Sequence, residues 1–320
     1  MTTPRSVAIV VPLYNEEAGL PDLFAALEQL RAELGECELH AWFVDDHSSD
    51  RTPELLREAC LKTPWFSYLR LSKRSGSHVA IVAGYTHCRE ECAAFIAADL
   101  QDPPSLVPQM RDLVGAGHDV VWATWRTSGR QSWAEEAASR SFHEIMRRIS
   151  QHDQIPYRAS FAMLSRRAYR NLVAGCGANP SLIVEIPKLG YNVATLEFDK
   201  PPRRHGKSKW SVRRKVFAFA DAVVASSYFP LRAMSYVGVT TAIIGFLYAI
   251  TLLTLRLFSI VDFPGWASLM IVTLVLGGLQ MMMLGIIGEY LWRTKESAQR
   301  QPLFLIEDSV DQTHSAETDQ

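Results

Sequence analysis

Two long uncharged apolar runs do most to limit what this chain can fold into. One extends from Ala233 to Leu255, about 23 residues, and the other from Gly265 to Gly288, about 24 residues. A helix needs about 20 apolar residues to cross the hydrocarbon core of a bilayer, because each residue advances it only ~1.5 Å. A pair of buried core helices is the competing reading, but uncharged runs this long are unusual in soluble domains. The connector "SIVDFPG", Ser259 to Gly265, holds no Lys or Arg. Arg213, Arg214, Lys215 and Arg232 precede the first run, and Arg293, Lys295 and Arg300 follow the second. Lys and Arg near span ends favour the cytoplasmic side. The sequence therefore predicts a two-helix hairpin over residues 231–292, with its tip outside and both flanks and both termini cytoplasmic.

The rest of the chain reads as a domain inside the cell. The net charge of −1 over 320 residues gives no global attraction for nucleic acid. Cys37, Cys60, Cys88, Cys92 and Cys176 are odd in number and form no C-x-x-C, which fits a reducing compartment. The start, "MTTPRSVAIVVPLYNEE", has an apolar run too short for a secretory signal, and it reads as a first strand.

Strand-like and helix-like stretches then alternate. "SVAIVVP" and "ELHAWFVDD" are buried-strand runs, and between them Leu20, Leu23, Phe24, Leu27 and Leu30 recur at helical spacing. Thr52 and Pro53 read as the N-cap and first turn of another helix. "FSYLRLS", "AAFIAAD" and "DVVWAT" predict further strands. This alternation predicts an α/β, mostly parallel open sheet over residues 1–211. In such sheets ligands bind beyond the carboxyl ends of the strands.

Polar clusters fall at those ends: Tyr14-Asn15-Glu16-Glu17, Asp45-Asp46 and Asp99-Gln101-Asp102. One such cluster is ordinary turn chemistry, since Asp is common at turns; three at successive strand ends point to a site. Oxygen-rich groups suit a hard divalent cation, and Mg²⁺ takes one or two carboxylates plus substrate phosphates. Neither G-x-x-x-x-G-K-[ST] nor G-x-G-x-x-G occurs, so a P-loop or dinucleotide fingerprint is excluded.

"VVPLYNEE", "VDDHSSDRT", "AADLQDPP" and "RRHGKSKW", in this order, resemble the family-2 glycosyltransferases that act on polyprenyl phosphates. These are the dolichyl-phosphate mannose synthases and the bacterial undecaprenyl-phosphate sugar transferases with two C-terminal membrane helices. "GIIGEYLWR", from Gly285, is similar to the end of the last helix in the bacterial group. The resemblance implies a GT-A-type sheet domain followed by an interfacial helix and the membrane hairpin. It also implies an inverting transfer from a nucleotide-sugar to a polyprenyl phosphate on the cytoplasmic face of the inner membrane, with Mg²⁺ or Mn²⁺ as cofactor. It leaves a homo-oligomer open.

The same resemblance assigns residues. Pro12, Tyr14 and Glu16 match the stretch that holds the nucleotide. Asp46, with Asp45 beside it, matches the motif for base and ribose. Asp99 and Gln101 match the motif for metal and diphosphate, and Arg126 the arginine that approaches the diphosphate. Arg203, Gly206, Ser208 and Lys209 match a loop that closes over donor and acceptor phosphates. Asp99, Arg126, Arg203 and Lys209 are thus the candidate catalytic residues.

Three departures stand out. Ala97 occupies the position of the family's first metal-motif aspartate, Glu135 and Glu136 follow Trp133 where basic residues are common, and "RASFAML" replaces G-D-F-R near Ser160. Ala97 keeps a second reading open: a non-catalytic membrane relative that binds nucleotide or lipid. A processive polysaccharide synthase would carry Q-x-x-R-W downstream, and this chain has none.

Seven of the thirteen residues from Arg203 to Lys215 are Lys or Arg. Contact with anionic lipid explains Arg213, Arg214 and Lys215, but it does not call for Gly206 and Ser208. Val212, Val216, Phe219 and Val223 then recur at helical spacing, which predicts an amphipathic interfacial helix over residues 212–230. Residues 293–320 are expected as a cytoplasmic tail, partly disordered. His40, His78 and His118 read as packing or surface residues, while His205 sits inside the basic loop. The topology is checked by cysteine labelling: Asp262→Cys should react with a membrane-impermeant reagent on intact cells, and reaction only after lysis would defeat the hairpin.

Overall fold

The computed structural model describes residues 3–126, 159–177, 180–199, 229–257, 265–298 and 302–311. The chain divides into two units, residues 1–210 together with 302–320, and residues 211–301. In the first unit the elements are β1 (Ser6–Leu13), α1 (Leu20–Leu34), β2 (Glu38–Asp45), α2 (Thr52–Lys62), β3 (Phe66–Leu71), α3 (Ser77–His87) and β4 (Cys92–Phe95). A short 3₁₀ turn (Pro104–Leu106), α4 (Val107–Gly115), β5 (Val120–Trp125), β6 (Ala159–Ser165), α5 (Arg166–Gly175), α6 (Leu182–Lys188) and β7 (Val193–Phe198) follow. The last strand, β8 (Ile306–Val310), comes after the second unit.

These strands make one sheet in the order β7-β5-β6-β4-β1-β2-β3-β8. β1, β2, β3, β4, β5 and β7 run one way, and β6 and β8 run against them. The mostly parallel sheet read from the alternation is therefore present. Strands covered on both faces must be apolar throughout, and Val7, Ala8, Ile9, Val10 and Val11 are all fully buried. Leu20, Leu23, Leu27, Leu30 and Leu34 bury one face of α1 at the spacing that the sequence displays.

Two local expectations change. α2 begins at Thr52 itself, so Thr52 is not its N-cap. The Thr52 N–H is satisfied by the Asp50 carboxylate at 3.0 Å, and its hydroxyl accepts the Glu16 N–H at 3.0 Å. Residues 306–310, expected in a tail, are instead an edge strand on β3. The sequence offers little sign of this strand, because three of the five residues of "IEDSV" are polar.

The second unit holds α7 (Phe229–Leu257) and α8 (Trp266–Ala298). Their large apolar side chains turn outward: Tyr236 is 73% exposed, Phe246 68%, Leu269 71% and Met281 71%. Among the described residues, Val275–Trp292 is long and apolar enough to cross a membrane, at mean hydropathy 1.3, and Met234–Tyr248 is a shorter apolar stretch. Residues 212–228 of the expected interfacial helix lie outside the described residues.

α3 sits against β1 and β2 at a glycine. A Cβ on Gly84 would lie 2.4 Å from Val10 Cγ1 and 3.2 Å from Val44 Cγ2. Alanine is favoured over glycine in a helix by about 1 kcal/mol, but overpacking a tight core costs about 1–3 kcal/mol. Gly84→Ala should therefore destabilise the protein, by up to about 2 kcal/mol net, in denaturant melts of the detergent-purified chain. Adding Val10→Ala should recover part of the loss. A stabilised Gly84→Ala would show that α3 can lift from the sheet at little cost.

Candidate active site

Because six strands share a direction, their carboxyl ends lie along one edge of the sheet, together with the start of β6. The turns after β4, β1 and β2 lie there on neighbouring strands. Among the described residues, Asn15 (φ 53), His47 (φ 60) and Leu100 (φ 54) are the only non-glycine residues with left-handed backbone. One lies in each of these turns. Such conformations cost free energy and cluster where function requires them.

The first two turns hold one another. Asn15 N–H donates to Ser48 Oγ at 2.9 Å, and Ser49 N–H donates to Asn15 Oδ1 at 2.9 Å. Asp46 N–H donates to the Leu13 carbonyl at 2.8 Å, and Arg51 N–H to Glu17 Oε2 at 3.1 Å. Pro12, opposite Val44 in the β1–β2 register, closes the strand just before the turn. Tyr14 and Glu16 are half-buried, and the Arg74 guanidinium lies 4.0 Å from the centre of the Tyr14 ring.

The adjacent aspartates take different partners, Asp45 as the last residue of β2 and Asp46 as the first of the turn. Asp45 turns inward and is fully buried. Both its oxygens lie 3.2 Å from the Ser48 N–H, and Arg70 Nε stands 3.7 Å away. Burial pushes the Asp45 carboxyl above its ordinary range, more than the Ser48 hydrogen bonds and the Arg70 charge pull it down. Asp46 instead accepts the Ser75 N–H at 2.5 Å and the Gly76 N–H at 2.9 Å, which ties β2 to the start of α3. Gly76 has φ 97, a conformation that an L side chain would strain.

In the third turn the carboxylates also divide. Asp99 Oδ1 accepts the Gln101 N–H at 3.2 Å, and both residues are half-buried at the edge. Asp102 is 5% exposed and faces back into the turn. Its oxygens accept the Ala97 N–H at 3.1 Å and the Ser160 hydroxyl. Asp102 thus braces the loop against β6, while Asp99 and Gln101 stay half-buried at the edge.

Arg126 follows β5, two strands from β4, about 10 Å across the sheet. Its Nε lies 3.1 Å from Glu197 Oε2 at the end of β7, and both side chains are exposed. Arg203, Gly206, Ser208 and Lys209, with His205, lie outside the described residues. His40 is remote from this edge, with Nε2 2.9 Å from Ser67 Oγ. Burial pushes the thiols of Cys60 and Cys176 up to about 12 and about 11, as unreactive packing groups.

Ser48, Thr52, Arg70 and Ser160 are the supporting residues that motif reading passed over. Ser48 and Thr52 carry a local signal, the hydroxyls that follow Asp45-Asp46. Ser160 carries none, since it meets Asp102 across 58 positions.

Residues 8–173, about half of the chain, match the model of the glycosyl transferase family 2. The chain is 32% identical over 306 residues to an uncharacterized glycosyltransferase of Synechocystis, covering 94% of this chain and 95% of that protein. It is also 32% identical to the undecaprenyl-phosphate 4-deoxy-4-formamido-L-arabinose transferase of Pseudomonas aeruginosa, over 97% of this chain and 92% of the relative. Among solved structures, a mannosyltransferase of Pyrobaculum calidifontis in complex with GDP-Man and Mn²⁺ aligns with TM-score 0.48 at 18% identity, over 94% of this chain and 89% of that one. A family match of this length, with relatives aligned nearly end to end, makes the chain a glycosyltransferase of family 2.

Proposed function

We propose that this glycosyltransferase moves a sugar from a nucleotide-sugar to a polyprenyl phosphate at the cytoplasmic face of the inner membrane, with inversion at the anomeric carbon. The product would be a polyprenyl-phosphate sugar for glycan or lipid modification. The observation that carries the reading is the placement of three oxygen-rich turns on neighbouring strands at one sheet edge, in a chain aligned nearly end to end with an undecaprenyl-phosphate sugar transferase. Pro12, Tyr14, Glu16, Asp45 and Asp46 form the nucleotide side of the site, and Asp99 the diphosphate side.

The chemistry asks little of the protein in proton transfer. A phosphate monoester has a second pKa of about 6, so the acceptor is largely dianionic at neutral pH. Its oxygen attacks C1 in line, the bond from C1 to the donor diphosphate breaks, and the nucleoside diphosphate leaves with the electron pair. No proton has to be removed from the nucleophile. The protein must bring two anions together, a task for Arg126, Arg203 and Lys209, with Gly206 and Ser208 letting the loop bend and donate hydrogen bonds.

Among the described residues no group of three or more His, Cys, Asp or Glu could hold a metal ion by itself. The hard oxygens of Asp99 and Gln101 nevertheless fit Mg²⁺ or Mn²⁺ if the donor diphosphate and waters complete the shell. When bound, such an ion would neutralise charge on the leaving diphosphate. Asp102, committed to Ala97 and Ser160, does not stand in for the missing aspartate.

The membrane reading is supported by connectivity. Residues 302–311 rejoin the unit that residues 1–210 build, so any excursion of residues 211–301 through a bilayer must cross an even number of times. Two spans meet that condition, and the outward apolar side chains of α7 and α8 supply the surface that lipid would cover.

Purified full-length protein in detergent, given a panel of nucleotide-sugars, undecaprenyl phosphate and Mn²⁺, should form a lipid-linked sugar with at least one donor. Binding without transfer across the panel would favour the non-catalytic reading that Ala97 keeps open. Asp99→Asn, which keeps shape and removes charge, should cut turnover by about 100-fold or more, the scale of losing an electrostatic contact to the transition state. Ala97→Asp should keep or raise activity, or tighten metal affinity. Parental turnover in Asp99→Asn would refute the metal assignment.

Asp45 generates a separate expectation. The folded chain holds its proton more tightly than the unfolded chain, so ionised Asp45 costs stability above the ordinary carboxyl value of 3.8. Asp45→Asn should raise Tm at pH 7, with the gain shrinking as the pH falls toward that value, while donor affinity drops. Equal Tm values at both pH values would mean that Arg70 and Ser48 fully offset the burial.

A further inference from the structure

β8 reaches the catalytic sheet only after the whole of residues 211–301, yet it lies beside the Asp45–Ser48 turn. Tyr68 pairs with Val310, Leu69 with Ser309, Arg70 with Asp308 and Leu71 with Ile306, with a register shift at Arg70/Leu71. Glu307 is thus the extra residue of a β-bulge. A bulge breaks the alternation of a strand and re-aims a side chain. Glu307 Oε2 lies 3.1 Å from Arg70 Nε and 3.3 Å from His47 Nδ1. The neighbouring Asp308 instead pairs with Arg57 of α2, at 2.9 Å.

Both contacts of Glu307 lead into the turn between Asp45 and Ser48. His47 holds its left-handed backbone with Nδ1 3.1 Å from the Leu71 carbonyl. Two acceptors around Nδ1 favour a proton there. Arg70 donates from Nη2 to the Ser48 carbonyl at 3.3 Å while standing 3.7 Å from Asp45 Oδ2. Ser48 in turn carries Asn15. One carboxylate on the returning strand therefore reaches the turn directly at His47 and indirectly through the Arg70 guanidinium of β3, whose charge it shares with buried Asp45.

We propose that Glu307 is a positioning residue for the donor nucleotide, so that the strand which follows the apolar helices completes the nucleotide side of the site. The inference rests on reading Asp45 and Asp46 as nucleotide-binding. The rival role for β8 is edge cover alone, since an edge strand protects the unpaired groups of β3 whatever its side chains do.

The two acidic neighbours on β8 separate these roles. Full-length protein in detergent would be titrated calorimetrically with UDP, GDP and CDP in the presence of Mn²⁺, alongside amide exchange and Tm. Glu307→Gln should bind the nucleoside diphosphate that the parent prefers roughly three- to fivefold more weakly, the scale of a partly exposed ion pair. Amides of residues 13–17 and 45–51 should exchange faster, with little change elsewhere. Asp308→Asn loses an ion pair from the same strand and should keep parental affinity. Glu307→Asp, which retains the charge, should recover part of the loss and guards against a folding defect in the amide variant. Unchanged affinity and exchange in Glu307→Gln, or equal losses in both neighbours, would overturn the proposal and leave β8 as edge cover. If the parent binds none of the three nucleotides, the nucleotide reading itself fails, and the proposal falls with it.

Discussion

The parallel register of β1 on β2 underlies everything at the site. Partners run from Ser6 opposite Glu38 to Leu13 opposite Asp45. Parallel pairing sends both strands out at the same edge, so the Tyr14–Glu17 turn meets the Asp46–Asp50 turn without any long loop. A slip of one residue would exchange the faces of every side chain, moving Asp45 to the opposite face and Val44 into its place. Val10, Val11, Phe43 and Val44 are all buried, so both faces are packed and the Asp45 carboxylate would meet apolar neighbours in place of Ser48. The hydrogen bonds between Asn15 and Ser48–Ser49 then join two turns already delivered to each other.

Around that register the edge holds several costs that the core must offset. The Asp45 carboxylate is buried, with the Ser48 N–H and the Arg70 guanidinium as its partners, and three side-chain-bearing residues adopt left-handed backbone. Taking a carboxylate out of water costs free energy that such partners offset only in part. All three left-handed residues sit at the carboxyl edge, whereas the buried carboxylate of the opposite edge, Asp119, is paired with Arg167 and Ser165. That asymmetry marks the carboxyl edge as the working side independently of any motif.

The chain's path adds a second constraint. The sheet domain is made of two separated pieces of sequence, with the apolar helices between them. β8 is short and polar, and its attachment relies on β3 for backbone pairing and on Arg57 and Arg70 for charge. A strand of this composition has little reason to form except against a ready edge, so its structure depends on the domain it rejoins.

Much of this was legible in the residues alone. The buried strand runs, the leucine spacing of α1, the two apolar helices and the polar clusters at strand ends all follow from local periodicity, which needs no tertiary partner to be read. The order of the four motifs carried the family. Tertiary structure decided what each of two neighbouring carboxylates holds, Asp45 the Ser48 turn and Asp46 the start of α3. Sequence cannot separate Asp45 from Asp46, or Asp99 from Asp102, because direction depends on where the strand ends and the turn begins. It could not join Asp102 to Ser160 or Glu307 to Arg70, since those pairs meet only after the sheet has brought distant segments side by side. Local pattern determined the helices and the buried strands that were read from it, and the chemistry available; the sheet's register and the return of β8 decided which atoms face one another, because contact across a sheet is a property of pairing rather than of spacing along the chain.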